Sequence, residues 1–171
     1  LLTGGGGDDT RVGGLGDDSV FGGLGNDTLV GGLGNDSVSG GLGDDTITGG
    51  AGEDIISGGE GDDRITGGSG NDLIDGGEGD EWITGGSGKD LIDGGDGEDT
   101  VAYSGGMADY RIETTGSGIL VKDANLADGD DGTDNFTGIE TVEFADGELT
   151  VSRDDDGEVQ VNSYTSGNQY E

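Results

Sequence analysis

The stretch Gly22-Gly23-Leu24-Gly25-Asn26-Asp27-Thr28-Leu29-Val30 recurs, with small changes, along more than half of the chain. From Gly4 to Ala102 the sequence divides without a gap into eleven units of nine residues. Positions 1, 2 and 4 are glycine in every unit. Position 6 is Asp in ten units and Glu81 in the other, and position 8 is Val, Leu or Ile except for Arg11 in the first. A pattern that stays in phase over eleven units predicts a repeat architecture.

Each unit combines a glycine-rich turn with a very short strand. Glycine accepts positive φ angles and close backbone approach, so the first half of a unit predicts a tight turn with exposed carbonyls. The last three residues, as in Thr46-Ile47-Thr48, alternate polar and apolar and predict a strand with one inward side chain. Because each turn reverses the chain, two units complete one coil and successive coils stack. The sequence therefore predicts an all-β fold, a parallel β-roll.

Position 8 supplies the predicted core. The inward ladders are Leu29, Ile47, Ile65, Ile83 and Val101 on one sheet, and Val20, Val38, Ile56, Ile74 and Ile92 on the other. Arg11 places a charge at this inward position, so we expect the first unit to fray or to cap the roll. One apolar side chain per unit is a thin core for ordering the whole array, which predicts that a ligand stabilises the turns.

Composition excludes several classes of protein. The 171 residues include 44 Gly, 39 acidic and 6 basic residues, and no His, Cys or Pro, with a net charge of −33. Disulfides, thiolate or imidazole zinc sites and histidine-dependent nucleophiles are therefore excluded. The negative charge disfavours nucleic acid as a partner, and no apolar run is long enough to span a membrane. Such a composition is typical of disordered chains, but the constant phase of the repeat argues against disorder.

The turns offer carboxylate and carbonyl oxygens and no nitrogen or sulfur ligand, which suits Ca²⁺. The eleven units hold 23 acidic and 3 basic residues, a net charge of −20. One ion between each unit and the unit one coil later would place nine Ca²⁺ in the array and neutralise most of this charge. Position 5 varies, so we expect Asp17, Asp44 and Glu53 to be solvated.

The units resemble the GGxGxDxUx nonapeptides of the RTX (repeats-in-toxin) family, the hemolysin-type calcium-binding repeats. The resemblance covers residues 4–102 and implies a right-handed parallel β-roll with calcium in rows between adjacent turns. It implies carboxylate ligands at Asp9, Asp18, Asp27, Asp36, Asp45, Asp54, Asp63, Asp72, Glu81, Asp90 and Asp99. It implies carbonyl ligands at Gly22, Gly23, Gly25, Gly31, Gly32, Gly34, Gly40, Gly41, Gly43, Gly49, Gly50, Gly52, Gly58, Gly59, Gly61, Gly67, Gly68 and Gly70. Glu81 departs from the pattern with a longer side chain.

Residues 103–171 lack the period and are predicted to form a β-rich cap. Candidate strands are 110–114, 119–122, 141–144, 149–151 and 158–161, with hairpin turns at 116–118 and 145–147. An acidic loop covers 127–134, and disorder is expected from Asn162 onward. This segment also resembles the flank that follows RTX arrays in secreted proteins.

The outward-facing position 7 predicts a contact with another part of the chain. Position 7 is apolar at Ile55, Leu73 and Leu91, which belong to successive even units and should stack into an apolar ridge. We expect the segment from Tyr103 onward to fold back over this ridge.

For function, the resemblance implies a non-enzymatic, extracellular calcium-binding module of a larger protein, exported by the type I secretion machinery and folded by Ca²⁺. The alternative is an adhesin, surface-layer or carbohydrate-targeting module whose ligand is a cell surface or a polysaccharide. Arg64 and Trp82, one coil apart, would be its contact strip. A third class is a glycosidase-like enzyme using paired carboxylates, but the regular carboxylates are already assigned to metal. The start at Leu1 is not a signal peptide, so we expect a piece of a longer protein.

Overall fold

The computed structural model describes residues 1–115, 118–125, 131–153 and 159–166. The fold is a parallel β-solenoid of about six coils, in which two nine-stranded sheets face each other. Strands from even units lie in one sheet and strands from odd units in the other, each paired in parallel with the strand two units away. The predicted coil of two units is therefore confirmed.

The repeat strands alternate between the two sheets along the chain. The first six are β1 Leu2–Gly6, β2 Thr10–Leu15, β3 Ser19–Leu24, β4 Thr28–Leu33, β5 Ser37–Leu42 and β6 Thr46–Ala51. The next six are β7 Ile55–Glu60, β8 Arg64–Ser69, β9 Leu73–Glu78, β10 Trp82–Ser87, β11 Leu91–Asp96 and β12 Thr100–Ala102.

The repeat strands are longer than the sequence predicts. Instead of only the last three positions of a unit, most run from position 7 through the two glycines to position 3 of the next unit. The second glycine makes this possible: Gly50 has φ +124°, and an added Cβ there would collide with the backbone of Gly32 in the preceding coil. The glycine pair therefore lets adjacent coils stack closely, and the turn shrinks to positions 4–6.

The position-8 side chains form the core between the two sheets. All ten predicted residues, from Val20 to Val101, are at most 1% exposed, which confirms both ladders. Arg11, in the first unit, turns back on its own coil: its guanidinium Nη2 lies 3.0 Å from Asp9 Oδ1 and its Nη1 donates to the carbonyl of Thr10.

The C-terminal segment extends both sheets. Its elements are a short 3₁₀ turn at Met107–Asp109 and strands β13 Tyr110–Thr114, β14 Ile119–Asp123, β15 Thr133–Thr137, β16 Thr141–Phe144, β17 Gly147–Arg153 and β18 Val159–Ser166. β15 pairs in parallel with β11 and β16 with β12, after which the sheets continue with antiparallel strands. Among the described residues, no helix could cross a membrane.

Two expectations about this segment need correction. Strand β15 was not predicted, and it begins in the predicted acidic loop 127–134; residues 127–130 of that loop lie outside the described part. Strand β18 continues through Asn162 to Ser166, where disorder was expected, because its backbone pairs with β17. Residues 167–171 lie outside the described part.

The expected cover over the apolar ridge is wrong. Ile55, Leu73 and Leu91 are 57%, 45% and 50% exposed. The segment instead adds strands to the open edges of β11 and β12, which satisfies their backbone hydrogen bonds. Its apolar side chains, including Phe136 and Phe144, are buried between the sheets rather than over the ridge.

Candidate metal sites

The position-6 carboxylates connect each coil to the coil before it. In eight of them, one oxygen accepts a hydrogen bond from the backbone amide of the position-6 residue one coil earlier: Asp27, Asp36, Asp45, Asp54, Asp63, Asp72, Asp90 and Asp99. Asp54 Oδ1 lies 2.8 Å from the amide of Asp36, and Asp72 Oδ1 lies 2.9 Å from that of Asp54. We call the two resulting rows of carboxylates, one along each edge of the roll, the carboxylate ladders.

The second oxygen of these carboxylates is buried and has no hydrogen-bond partner among the described residues. This holds for Oδ2 of Asp27, Asp36, Asp45, Asp54, Asp63, Asp72, Asp90 and Asp99, and for both oxygens of Glu81. These side chains are at most 3% exposed. Buried polar atoms in proteins almost always have partners, so a regular row of unpartnered carboxylate oxygens indicates that these oxygens bind cations.

The free oxygens face a backbone carbonyl across a small space. A Cβ added to Gly31 would lie 2.6 Å from Asp36 Oδ2 and 2.6 Å from the carbonyl oxygen of Gly49, one coil later. The same arrangement, with the carbonyl of the first glycine in the next coil, occurs nine times in the array. The pairs are Asp9/Gly22, Asp18/Gly31, Asp27/Gly40, Asp36/Gly49, Asp45/Gly58, Asp54/Gly67, Asp63/Gly76, Asp72/Gly85 and Glu81/Gly94.

These spaces fit a hard cation bound by oxygen. Within the described ranges, no three acidic side chains converge on one point. Each space instead combines one carboxylate with the backbone carbonyl of the first glycine one coil later. Mixed carboxylate and carbonyl coordination is typical of Ca²⁺, whereas Mg²⁺ prefers a tighter octahedron and keeps its waters. The absence of a side chain at the first glycine leaves room for the ion.

The family model of the RTX calcium-binding nonapeptide repeat matches residues 3–38, 39–74 and 75–106. The chain belongs to the RTX repeat family. No curated protein matches the chain. Among solved structures, the extracellular lipase LipA from Serratia marcescens is similar to 84% of this chain, with 21% identity and a TM-score of 0.35. The chain spans 25% of that lipase.

Only the first of the three RTX glycines in a unit places its carbonyl beside a free carboxylate oxygen. The carbonyls at position 1, such as Gly40 and Gly49, lie beside carboxylates of the preceding coil. The glycines at positions 2 and 4 lie against the backbone of the preceding coil, as Gly52 does against Gly34. Their roles as carbonyl ligands stay predictions.

Burial without a counter-charge raises the pKa of several of the RTX position-6 carboxylates. Desolvation is the largest cause, and it raises the pKa of Asp63 and Asp72 to about 6. The pKa of Asp45, Asp54 and Asp90 is raised for the same reason. A divalent cation at the free oxygens would offset these shifts by supplying positive charge.

Glu81 changes the ladder locally. Its longer side chain leaves both carboxylate oxygens without a hydrogen-bond partner among the described residues, and burial raises its pKa to about 9. The space between Glu81 and Gly94 is still present, because a Cβ added to Gly76 would lie 3.0 Å from Glu81 Oε2 and closer still to the Gly94 carbonyl oxygen.

The variable position-5 residues form a second, solvated ladder. Asp17, Asp44 and Glu53 are exposed. Asp17 Oδ1 accepts a hydrogen bond from the amide of Asn35 at 2.9 Å, and Asp44 Oδ1 accepts one from Asp62 at 3.1 Å. This ladder ties coils together at the surface, where its carboxylates stay in contact with water.

Arg64 and Trp82 are adjacent in the odd-unit sheet, as predicted. The guanidinium carbon lies 5.8 Å from the centre of the indole ring. The two side chains therefore contact each other through a cation–π interaction. A role for them in binding a surface ligand stays a prediction.

Three residues beyond the repeats join the ladders and were missed. Asp134 and Glu140 accept hydrogen bonds from the amides of Asp90 and Asp99, and the carbonyl of Gly138 lies beside Asp99. The signal in the sequence is Gly132-Thr133-Asp134-Asn135-Phe136, which matches repeat positions 4, 6 and 8. A long stretch without the period separates it from the array, and 138–143 is shorter than a unit, so the nine-residue register does not reach it.

Proposed function

We propose that this chain is an extracellular calcium-dependent folding module of a larger secreted protein, without catalytic activity of its own. The observation that carries this proposal is the row of buried carboxylate oxygens that lack hydrogen-bond partners within the described residues. Each such group destabilises the metal-free roll, because a buried unsatisfied polar group costs about 1–3 kcal/mol. Calcium would turn each one into a stabilising interaction.

Charge supports the same mechanism. The chain has a net charge of −33, so its acidic side chains repel one another in a compact state. One Ca²⁺ at each of nine sites would bring a charge of +18 to the repeats. Where Ca²⁺ is scarce, the chain would stay extended, a state suited to passage through the type I secretion machinery. Outside the cell, at millimolar Ca²⁺, sites with a Kd of roughly 10⁻⁴–10⁻³ M would fill and the roll would form.

The architecture explains why folding and binding would be coupled. Each site uses a carboxylate from one coil and a carbonyl from the next, as Asp54 and Gly67 do. A single coil in an unfolded chain therefore contains no complete site. Filling one site fixes two coils and positions the next pair, so binding is expected to be cooperative.

Circular dichroism of the full chain tests this function. In the presence of a chelator the spectrum should be that of a coil, and millimolar Ca²⁺ should produce a cooperative gain of β signal. Equal Mg²⁺ is the control and should produce little. A metal-free chain with the full β spectrum would contradict coupled folding, and an equal response to Mg²⁺ would contradict the calcium assignment.

A further inference from the structure

Strand β15 continues the even-unit sheet as a degenerate repeat. It pairs with β11 so that Ile92 lies opposite Phe136, which places Phe136 at the inward position 8 and Asp134 at position 6. Asp134 Oδ1 accepts a hydrogen bond from the amide of Asp90 at 3.0 Å. This is the ladder bond of the repeats, made here across a much longer stretch of chain than one coil.

Strand β16 does the same in the odd-unit sheet. Val142 lies opposite Val101, so Glu140 is at position 6. Its Oε2 accepts a hydrogen bond from the amide of Asp99 at 3.0 Å, and the amide of Thr141 donates to the Asp99 carbonyl. The segment 132–143 thus completes a shortened sixth coil, and Gly138, directly after β15, occupies position 1.

Asp99 faces this sixth coil with a free oxygen. Its side chain is 0% exposed, and its Oδ1 accepts a hydrogen bond from the amide of Glu81 at 2.9 Å. Its Oδ2 has no hydrogen-bond partner among the described residues. A Cβ added to Gly94 would lie 2.5 Å from this oxygen and closer still to the carbonyl oxygen of Gly138. These are the contacts that define each of the nine spaces in the repeats.

We propose that Asp99 Oδ2 and the Gly138 carbonyl bind a tenth Ca²⁺, shared between the last repeat and the C-terminal cap. This site lies beyond the repeats, because one of its ligands comes from a segment without the nine-residue period. It rests on the proposed calcium function and adds a role to it. The ion joins the cap to the array, so the cap docks only when calcium is bound.

The other ladder ends in a different way. The hydroxyl of Tyr103 donates a 2.8 Å hydrogen bond to Asp134 Oδ2, so both oxygens of Asp134 have partners. Asp90 Oδ2, the counterpart of Asp99 Oδ2, has no hydrogen-bond partner among the described residues, and no described carbonyl faces it. The three atoms nearest to a Cβ added to Gly85 all belong to Asp90, and none is a carbonyl oxygen. The described residues therefore complete an extra site on the odd-unit ladder alone.

Calcium counting by native mass spectrometry tests the proposal on the full chain. The wild type should bind ten Ca²⁺ at saturation, and Asp99→Asn should bind nine while retaining the Oδ1 acceptor for Glu81. Glu98→Gln, at the neighbouring position 5, is the matched control and should still bind ten. An Asp99→Asn chain with the same number of ions as the wild type would overturn the tenth site. A wild type that binds no calcium would instead overturn the proposed function.

Hydrogen exchange provides a second readout if Asp99→Asn impairs folding. Gly94→Ala keeps the carboxylate but fills the space with a methyl group. At saturating Ca²⁺ this variant should lose one ion and show faster exchange at the amides of Glu140 and Thr141, with coils before β9 unchanged. Exchange rates at these two amides that are the same in Gly94→Ala and in the wild type, both at saturating Ca²⁺, would refute docking of the cap by the ion.

Discussion

The amide of Asp36 donates a 2.8 Å hydrogen bond to Oδ1 of Asp54, one coil later, while Oδ2 of Asp54 stays buried beside the carbonyl of Gly67. One carboxylate thus links two coils through its first oxygen and offers its second to a cation. One ion between each pair of coils would lie on the Asp36 side of Asp54, and another on the Asp72 side. On the side of Asp36, a backbone amide occupies the oxygen.

Replacing Asp54 should therefore remove one ion. Asp54→Asn can keep the hydrogen bond to Asp36 but loses the negative charge at the site. At saturating Ca²⁺ we expect one ion fewer and a loss of about 1–3 kcal/mol, the contribution of a site filled at roughly ten to a hundred times its Kd. Urea unfolding in calcium measures the loss, with the exposed Glu53→Gln as control. Equal effects of the two substitutions would show that the ligand assignment is wrong.

Filling the space at Gly31 should have a similar effect without removing a ligand. In Gly31→Ala, the new Cβ would lie 2.6 Å from both Asp36 Oδ2 and the Gly49 carbonyl. We expect the loss of one ion and a higher Ca²⁺ midpoint of folding in a dichroism titration. Gly6→Ala is the control, because a Cβ there meets nothing within 4 Å. A Gly31→Ala chain that binds calcium as tightly as the control would place the ion elsewhere.

Acid should favour the metal-free roll. Burial raises the pKa of Asp63 and Asp72 from an ordinary value of 3.8 to about 6. A carboxyl with a higher pKa in the folded state stabilises that state below its unfolded pKa, and the contribution is lost as the pH rises through its folded pKa. In chelator, β signal should therefore increase as the pH falls from about 6 to about 4. With calcium present, protons compete for the same oxygens, so the Ca²⁺ midpoint should rise over this range. A spectrum in chelator that is constant with pH would contradict the burial of these groups.

Two adjacent isoleucines of β7 lie in opposite environments, one in the core and one on the apolar ridge. Ile56 is 1% exposed and Ile55 is 57% exposed. In the calcium-loaded chain, Ile56→Ala should cost about 2–5 kcal/mol because it leaves a cavity in a close-packed core. Ile55→Ala should change stability by about 0.5 kcal/mol or less. Chemical unfolding of both variants in calcium measures the difference, and similar losses would mean that the ridge is covered in solution.

The sequence predicted the repeats well because every unit states the same pattern. The two rows of core side chains that begin at Val20 and Leu29 follow from the alternation of polar and apolar residues in each unit. The coil of two units follows from the reversal of the chain at each turn. Strand length was underestimated, because glycine is a poor strand former in isolation. At Gly50 it is required, since any side chain would meet the preceding coil.

The cap could be predicted only in part, because its arrangement depends on the strand edges that the last two repeats leave unpaired. The hairpin β16–β17 was visible in local alternation. The parallel pairing of β15 with β11 was not, since it joins segments that are far apart in the chain through a stretch without the period. For the same reason, Gly138 could not be assigned to a site until the sixth coil was seen.

The alternation of the two sheets limits how such a chain can change length in evolution. A deletion or duplication of two units removes or adds one whole coil, and every remaining strand still pairs with a strand of its own sheet. A change of a single unit between Ile55 and Leu73 would move Ile55 to the other sheet, because strands pair only with the strand two units away. The apolar ridge of Ile55, Leu73 and Leu91 would then be divided between two faces of the roll. Arrays that keep a row of side chains along one face should therefore grow and shrink by pairs of repeats.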